Sequence, residues 1–202
     1  MLHKVKNLFS DKSGSIEEKV PLAIMKLEGS LTKLDRISTV LIKEDRELFE
    51  KCVEARVRGD QVHAIMYANE CVEMRKITHL VVGSKYALEQ MILRLHTVMK
   101  LGDLLVTITP VKEVVKSTRS RLVGLVPSVA SSLTEANQIL DKCMNSMGTS
   151  TVTERPEMKC GEDAMKIMLE ADLAAENILR EKFPKIPETD SLKLEKTEML
   201  NT

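Results

Sequence analysis

The chain has 202 residues, 30 Lys+Arg against 30 Asp+Glu, 43% hydrophobic residues, 2% aromatics and no tryptophan. That length can bury a core. No stretch reaches the roughly 20 uncharged apolar residues of a membrane-spanning helix, and the start of the chain lacks a signal-peptide apolar run with a small-residue cleavage site. Leu, Val, Ile and 12 Met carry the apolar content, a mix that suits interhelical seams better than sheets, so an all-α fold is expected. The zero net charge hides an asymmetry: 21 Lys+Arg against 16 Asp+Glu precede Pro127 and 9 against 14 follow it, a balance of +5 against −5. Such a split suggests a basic body that meets an anionic surface and an acidic segment that folds back over it or touches a neighbouring subunit. Cys52, Cys71, Cys143 and Cys160 stand far apart with no C-x-x-C pair, so neither a zinc site nor a disulfide framework is expected, and the expected compartment is a reducing cytoplasm.

In chain order, residues 1–15 come first. Leu2, Val5 and Phe9 fall on one helical face with Leu8 nearby, and Lys4 and Lys6 add positive charge, the pattern of an interfacial membrane-contact segment. Over residues 16–57, Leu27, Leu34, Leu41 and Leu48 recur every seven positions with Ala55 in phase, and Ile24, Leu31 and Cys52 hold the companion position. This spacing predicts a coiled-coil-like helix, with Pro21 tolerated near its start. At Arg58-Gly59-Asp60 the periodicity breaks; glycine suits a left-handed helix end and Asp60 can cap the next helix, so a tight helical hairpin is expected.

A second arm is expected over residues 60–108, where Ile77, Val81, Leu88, Met91, Leu95, Val98 and Leu105 step by three, four or seven with Ser84 and Gly102 in the same stripe. Pro110 and Pro127 are expected to divide the chain, leaving short helices at 111–124 and 128–147, so that residues 16–147 form the helical core. Residues 148–161 read as a polar linker, 162–182 as a tethered acidic amphipathic helix carrying Met165, Met168, Leu169, Leu173, Ile178 and Leu179, and 183–202 as a tail. In that tail Phe183, Pro184, Ile186 and Pro187 favour an extended, polyproline-like strand whose side chains fill a groove on a helical partner.

Nothing points to catalysis. His3, His63, His79 and His96 never pair at the i, i+4 spacing that lets two imidazoles share a metal, and Asp60-x-x-His63 has no second copy to complete a di-iron bundle. Glu70 and Glu73 stand beside Arg75 and Lys76, where ion pairs along a helix explain them. No metal, no cofactor and no nucleic-acid partner is expected.

Ala55-Arg56-Val57-Arg58-Gly59-Asp60, followed by Ala64, Tyr67-Ala68-Asn69-Glu70 and Arg75-Lys76, resembles the hairpin tip of ESCRT-III proteins. The order of parts from residue 16 to 187 resembles the same family, nearest to the archaeal cell-division proteins of the Cdv B type. That resemblance implies a subunit that polymerises with itself and with paralogues on the cytoplasmic face of the membrane at the division site, and takes part in constriction. Phe183, Pro184, Ile186 and Pro187 look like the family's MIT-interacting motif, with Phe in place of the commoner Leu; the resemblance implies capture by the MIT domain of an AAA ATPase that extracts subunits. With only 15 residues after Pro187, the chain is expected to be a shorter paralogue without the winged-helix element of the founding member. Alternative readings are a phage-shock-type membrane coat, which lacks such a proline motif, and a helical-bundle regulator of the phosphate-uptake type, which needs two similar halves that are absent here.

Overall fold

A computed structural model describes residues 16–101, 104–147 and 160–185. These residues form five α-helices and, among them, no strand: α1 Ile16–Val57, α2 Gln61–Leu101, α3 Leu104–Leu122, α4 Pro127–Met147 and α5 Cys160–Lys182. The first two are the arms of an antiparallel hairpin, each about 60 Å long at about 1.5 Å per residue.

The hairpin turns on residues 58–60. Gly59 has φ +74°, where a Cβ would be strained. Its N–H donates to the Arg56 carbonyl at 3.1 Å, and the Asp60 N–H to the Ala55 carbonyl at 2.9 Å, the paired bonds of a Schellman end. Asp60 then caps α2: its Oδ1 accepts the His63 backbone N–H at 3.1 Å and its Oδ2 meets His63 Nδ1 at 2.7 Å. One residue thus closes one helix and opens the next, which keeps the connection short and the arms antiparallel.

The seam between the arms follows the heptad only at its ends. Leu27, Leu34 and Ala55 are buried, as are Ile24 and Cys52 on the companion position. Between these, the companion position is held by buried Ser38 and Asp45, so the middle of the seam is polar. α4 packs on α1, α3 on both α2 and α4, and α5 on α2 and α3. Val111, Val114, Val115 and Leu122 of α3 and Val129, Leu133, Ala136 and Leu140 of α4 join the hairpin's lower half in one core. Lys26–Glu135 at 2.7 Å ties α1 to α4, with Lys19 Nζ donating to Ser146 Oγ at 2.9 Å further along.

Several helix boundaries differ from those expected. The second arm ends at Leu101 rather than near Ile108, and Ile108 belongs to α3, which begins at Leu104 and runs through Pro110. Proline there removes one backbone donor early in the helix, and the buried row Ile108, Val111, Val114 and Val115 offsets that loss. Pro127 starts α4 instead of preceding it, at the first helical position where its missing N–H costs nothing. At the other end of the expected linker, Cys160 and Gly161 already lie within α5.

Candidate functional site

The last helix folds back along the hairpin. α5 runs antiparallel to α2 and lays Ala164, Ile167, Met168, Ala171 and Ala175 against α2 and α3, all buried. The docked face is therefore alanine-rich, and Met165, Leu169 and Leu173 point to solvent at 76%, 60% and 53% exposure. Of the six apolar residues expected to define the amphipathic face, Met168 is the one in the core. Alanine dominates because the helices approach closely at Gly83, where a Cβ would lie 2.8 Å from Asp172 Oδ1 and 3.8 Å from Ala175 Cβ.

Asp172 is gripped by Arg121 of α3 through two parallel bonds, at 2.6 Å and 3.0 Å. Such a fork-to-fork pair adds orientation to attraction. Beside it, Thr118 Oγ1 points to Met168 Sδ at 3.8 Å in a buried contact. Glu170, Glu176 and Glu181 of the same helix face solvent, so this acidic helix docks mainly through small apolar side chains, with Asp172 as the acidic residue turned toward α3.

At the C-terminal end of α5 three segments converge on Arg75. Its Nε and Nη2 bond the two oxygens of Asp45 on α1 at 2.9 Å and 3.0 Å, and its Nη1 donates to the Pro184 carbonyl at 2.8 Å. The guanidinium carbon lies 5.0 Å from the centre of the Phe183 ring, a cation–π arrangement. The Asp45 side chain is wholly buried and that of Arg75 is 19% exposed. Each of the three guanidinium nitrogens thus has a partner, and one face lies against a ring. Val72, Arg75, Lys76, His79, Leu80 and Leu179 line a shallow, nearly apolar groove of about 530 Å³ alongside.

Burial beside Asp45 also acts on Cys71, whose thiol is pushed up to about 11, chiefly by desolvation and then by the Asp45 charge, from an ordinary 9.0. Burial raises the Cys143 thiol as well. On α1, Asp35 is held below the usual carboxylate range by its 2.5 Å bond to Lys85.

The structure brings two of the four motif residues, Phe183 and Pro184, onto Arg75; Ile186 and Pro187 lie outside the described residues, as do Leu2, Lys4, Val5, Lys6, Leu8 and Phe9. Arg58, Gly59 and Asp60 sit together at the hairpin tip. Asp45 and Arg75 were not expected as site residues, although Asp45 stands in phase with Ile24, Leu31 and Cys52 and so marks a carboxylate in an apolar seam. Among the described residues, no three His, Cys, Asp or Glu side chains are grouped as metal ligands, and no helix is long and apolar enough to cross a membrane.

A long antiparallel hairpin, two shorter helices packed along it and a last helix folded back is an ESCRT-III-like architecture. Over 162 residues, 80% of this chain and 76% of the relative, the sequence is 33% identical to Cell division protein B1 of Sulfolobus acidocaldarius. The chain belongs to this archaeal family of cell division B proteins. It is also 28% identical over 167 residues to Cell division protein B of the same organism, covering 83% of this chain and 64% of that longer relative. No family profile and no solved structure matches.

Proposed function

We propose that this chain is an ESCRT-III-type subunit that polymerises with itself and with paralogues on the cytoplasmic face of the membrane and takes part in membrane constriction during archaeal cell division. The observation that carries the reading is its kinship with Cell division protein B1 over most of both chains.

The described fold supports a closed, unassembled state of such a subunit. α5 covers one flank of α2 and α3, and a filament built by stacking hairpins side by side needs flanks of this kind. Assembly is then a shift between closed and open populations, driven by whatever binds the open form better. The N-terminal residues Leu2, Lys4, Val5, Lys6, Leu8 and Phe9 are the membrane contact, assisted by the basic body, and Phe183, Pro184, Ile186 and Pro187 are the strand by which the MIT domain of an AAA ATPase extracts the subunit.

Deleting residues 148–202 tests the assembly part of this reading. The truncated chain is expected to form sedimentable polymers, with and without anionic liposomes, at concentrations where the full chain stays in the supernatant. A truncated chain as soluble as the full one sinks the idea that α5 restrains assembly.

A further inference from the structure

We infer that Arg75 and its buried partner Asp45 form an internal receptor for Phe183 and Pro184, so that closure and capture by the ATPase domain compete for the same two residues. The inference rests on reading Phe183, Pro184, Ile186 and Pro187 as the ATPase-binding strand.

Two separate features of the closed geometry oppose capture. The first is burial: Phe183 is 9% exposed, with its ring against the Arg75 guanidinium, so a second protein cannot reach it without breaking that stack. The second is backbone conformation. The Phe183 N–H still donates to the Leu179 carbonyl at 2.9 Å, as the last rung of the α5 ladder, whereas a groove-binding proline strand presents extended backbone. The Pro184 carbonyl, a potential hydrogen-bond acceptor for a partner, is already taken by Arg75 at 2.8 Å.

Arginine suits this role because its planar fork grips both carboxylate oxygens of Asp45 while its flat face stacks on a ring, geometry that a point-like lysine ammonium lacks. Asp45 fixes the fork from the α1 side with two bonds, so the receptor is assembled by the hairpin itself and waits ready-made for the end of α5. The groove lined by Val72, His79, Leu80 and Leu179 opens beside Arg75.

Competition of this kind has a quantitative consequence. Apparent affinity falls by the fraction of molecules in the competent state, so a closed form favoured tenfold weakens capture about tenfold. The ATPase then reads assembly state: a closed subunit is a poor ligand and an opened one is a good ligand.

The test uses the full chain, held below its polymerisation concentration and checked as monomer by light scattering, titrated against the purified MIT domain of a Cdv-type AAA ATPase with anisotropy as readout. Gly83→Leu wedges α5 away from α2 at a point far from the motif. Phe183→Leu keeps apolar bulk but removes the ring that Arg75 covers. The expected result is tighter binding by Gly83→Leu, about tenfold or more, and by Phe183→Leu, about threefold, with the second effect vanishing when both changes are combined. Adding Pro187→Ala to Gly83→Leu abolishes the gain. If Pro187→Ala weakens binding while Gly83→Leu and Phe183→Leu bind like wild type, the competition is refuted and the motif stands. If no chain binds, or Pro187→Ala changes nothing on either background, the motif reading fails and the competition falls with it.

Discussion

Asp172 of α5 occupies the space that a side chain on Gly83 of α2 would need: a Cβ there would lie 2.8 Å from Asp172 Oδ1. The carboxylate cannot simply rotate away, because both its oxygens are bonded to Arg121. Gly83→Ala therefore forces a choice between the clash and the ion pair, and the closed state is expected to weaken by about 1 kcal/mol, the scale of a partly exposed bidentate pair. The hairpin itself gains helix propensity from the same change, by up to about 1 kcal/mol. Hydrogen exchange separates the two effects: faster exchange in α5 with unchanged or slower exchange in α2 is expected. Uniform acceleration across both helices contradicts the assignment.

Arg75 and Asp45 form a buried pair whose two halves have unequal fates when separated. Arg75→Ala leaves a wholly buried carboxylate without its partner, and a loss of about 3–5 kcal/mol is expected in urea unfolding. Asp45→Ala should cost less, because the guanidinium is partly exposed and keeps the Pro184 carbonyl. The double change Asp45→Ala/Arg75→Ala should recover most of the loss of Arg75→Ala. Additive losses would mean that the pair is not coupled in the way its geometry indicates.

Alkaline pH should loosen the same region. The Cys71 thiol has its pKa raised from 9.0 to about 11 in the fold, so the folded state holds the proton longer than the unfolded chain does. The associated stability is full below about pH 9 and is lost as pH rises through about 11. At pH 8 Cys71 should resist iodoacetamide until the chain is unfolded, since the reactive form is the thiolate. Rapid labelling of the native protein at Cys71 would contradict the burial.

Salt should separate closure from membrane contact. α5 is held chiefly by small apolar side chains, with the partly exposed Arg121–Asp172 pair beside them, and added electrolyte hardly weakens the apolar part. Small-angle scattering of the monomer should be the same at low and at moderate salt. Binding to anionic liposomes should fall steeply over the same range, because attraction of basic residues to such a surface is worth about 1 kcal/mol each at low salt. Opening of the monomer by salt alone would show that charge, not packing, holds α5.

Much of the framework was legible because it depends on local rules. The heptad of Leu27, Leu34, Leu41 and Leu48 requires a helix, and Arg58-Gly59-Asp60 requires it to stop and turn. The end of the second arm was not legible: Gly102 fits the helical stripe, and Pro110 looks like a stronger break than it is. Only the packing of Ile108 and Val111 on the core carries α3 through that proline. The docked face of α5 was misleading for a related reason. Its larger apolar residues, Met165, Leu169 and Leu173, suggest a seam, but the buried face is carried by Ala164, Ile167, Met168, Ala171 and Ala175, with the small residues where α5 comes close to Gly83.

The amino-acid sequence by itself determined the helical class, the hairpin and its turn, because spacing, capping and left-handed glycine act over a few residues. It also determined the chemical character of the C-terminal Phe-Pro segment. Only the tertiary structure decided that α5 closes back over α2 and α3, and that Arg75 joins Asp45 of α1 to Phe183 and Pro184. Those contacts link residues 30 and 109 positions apart, and which partner a buried arginine meets at such separation is set by how whole helices pack.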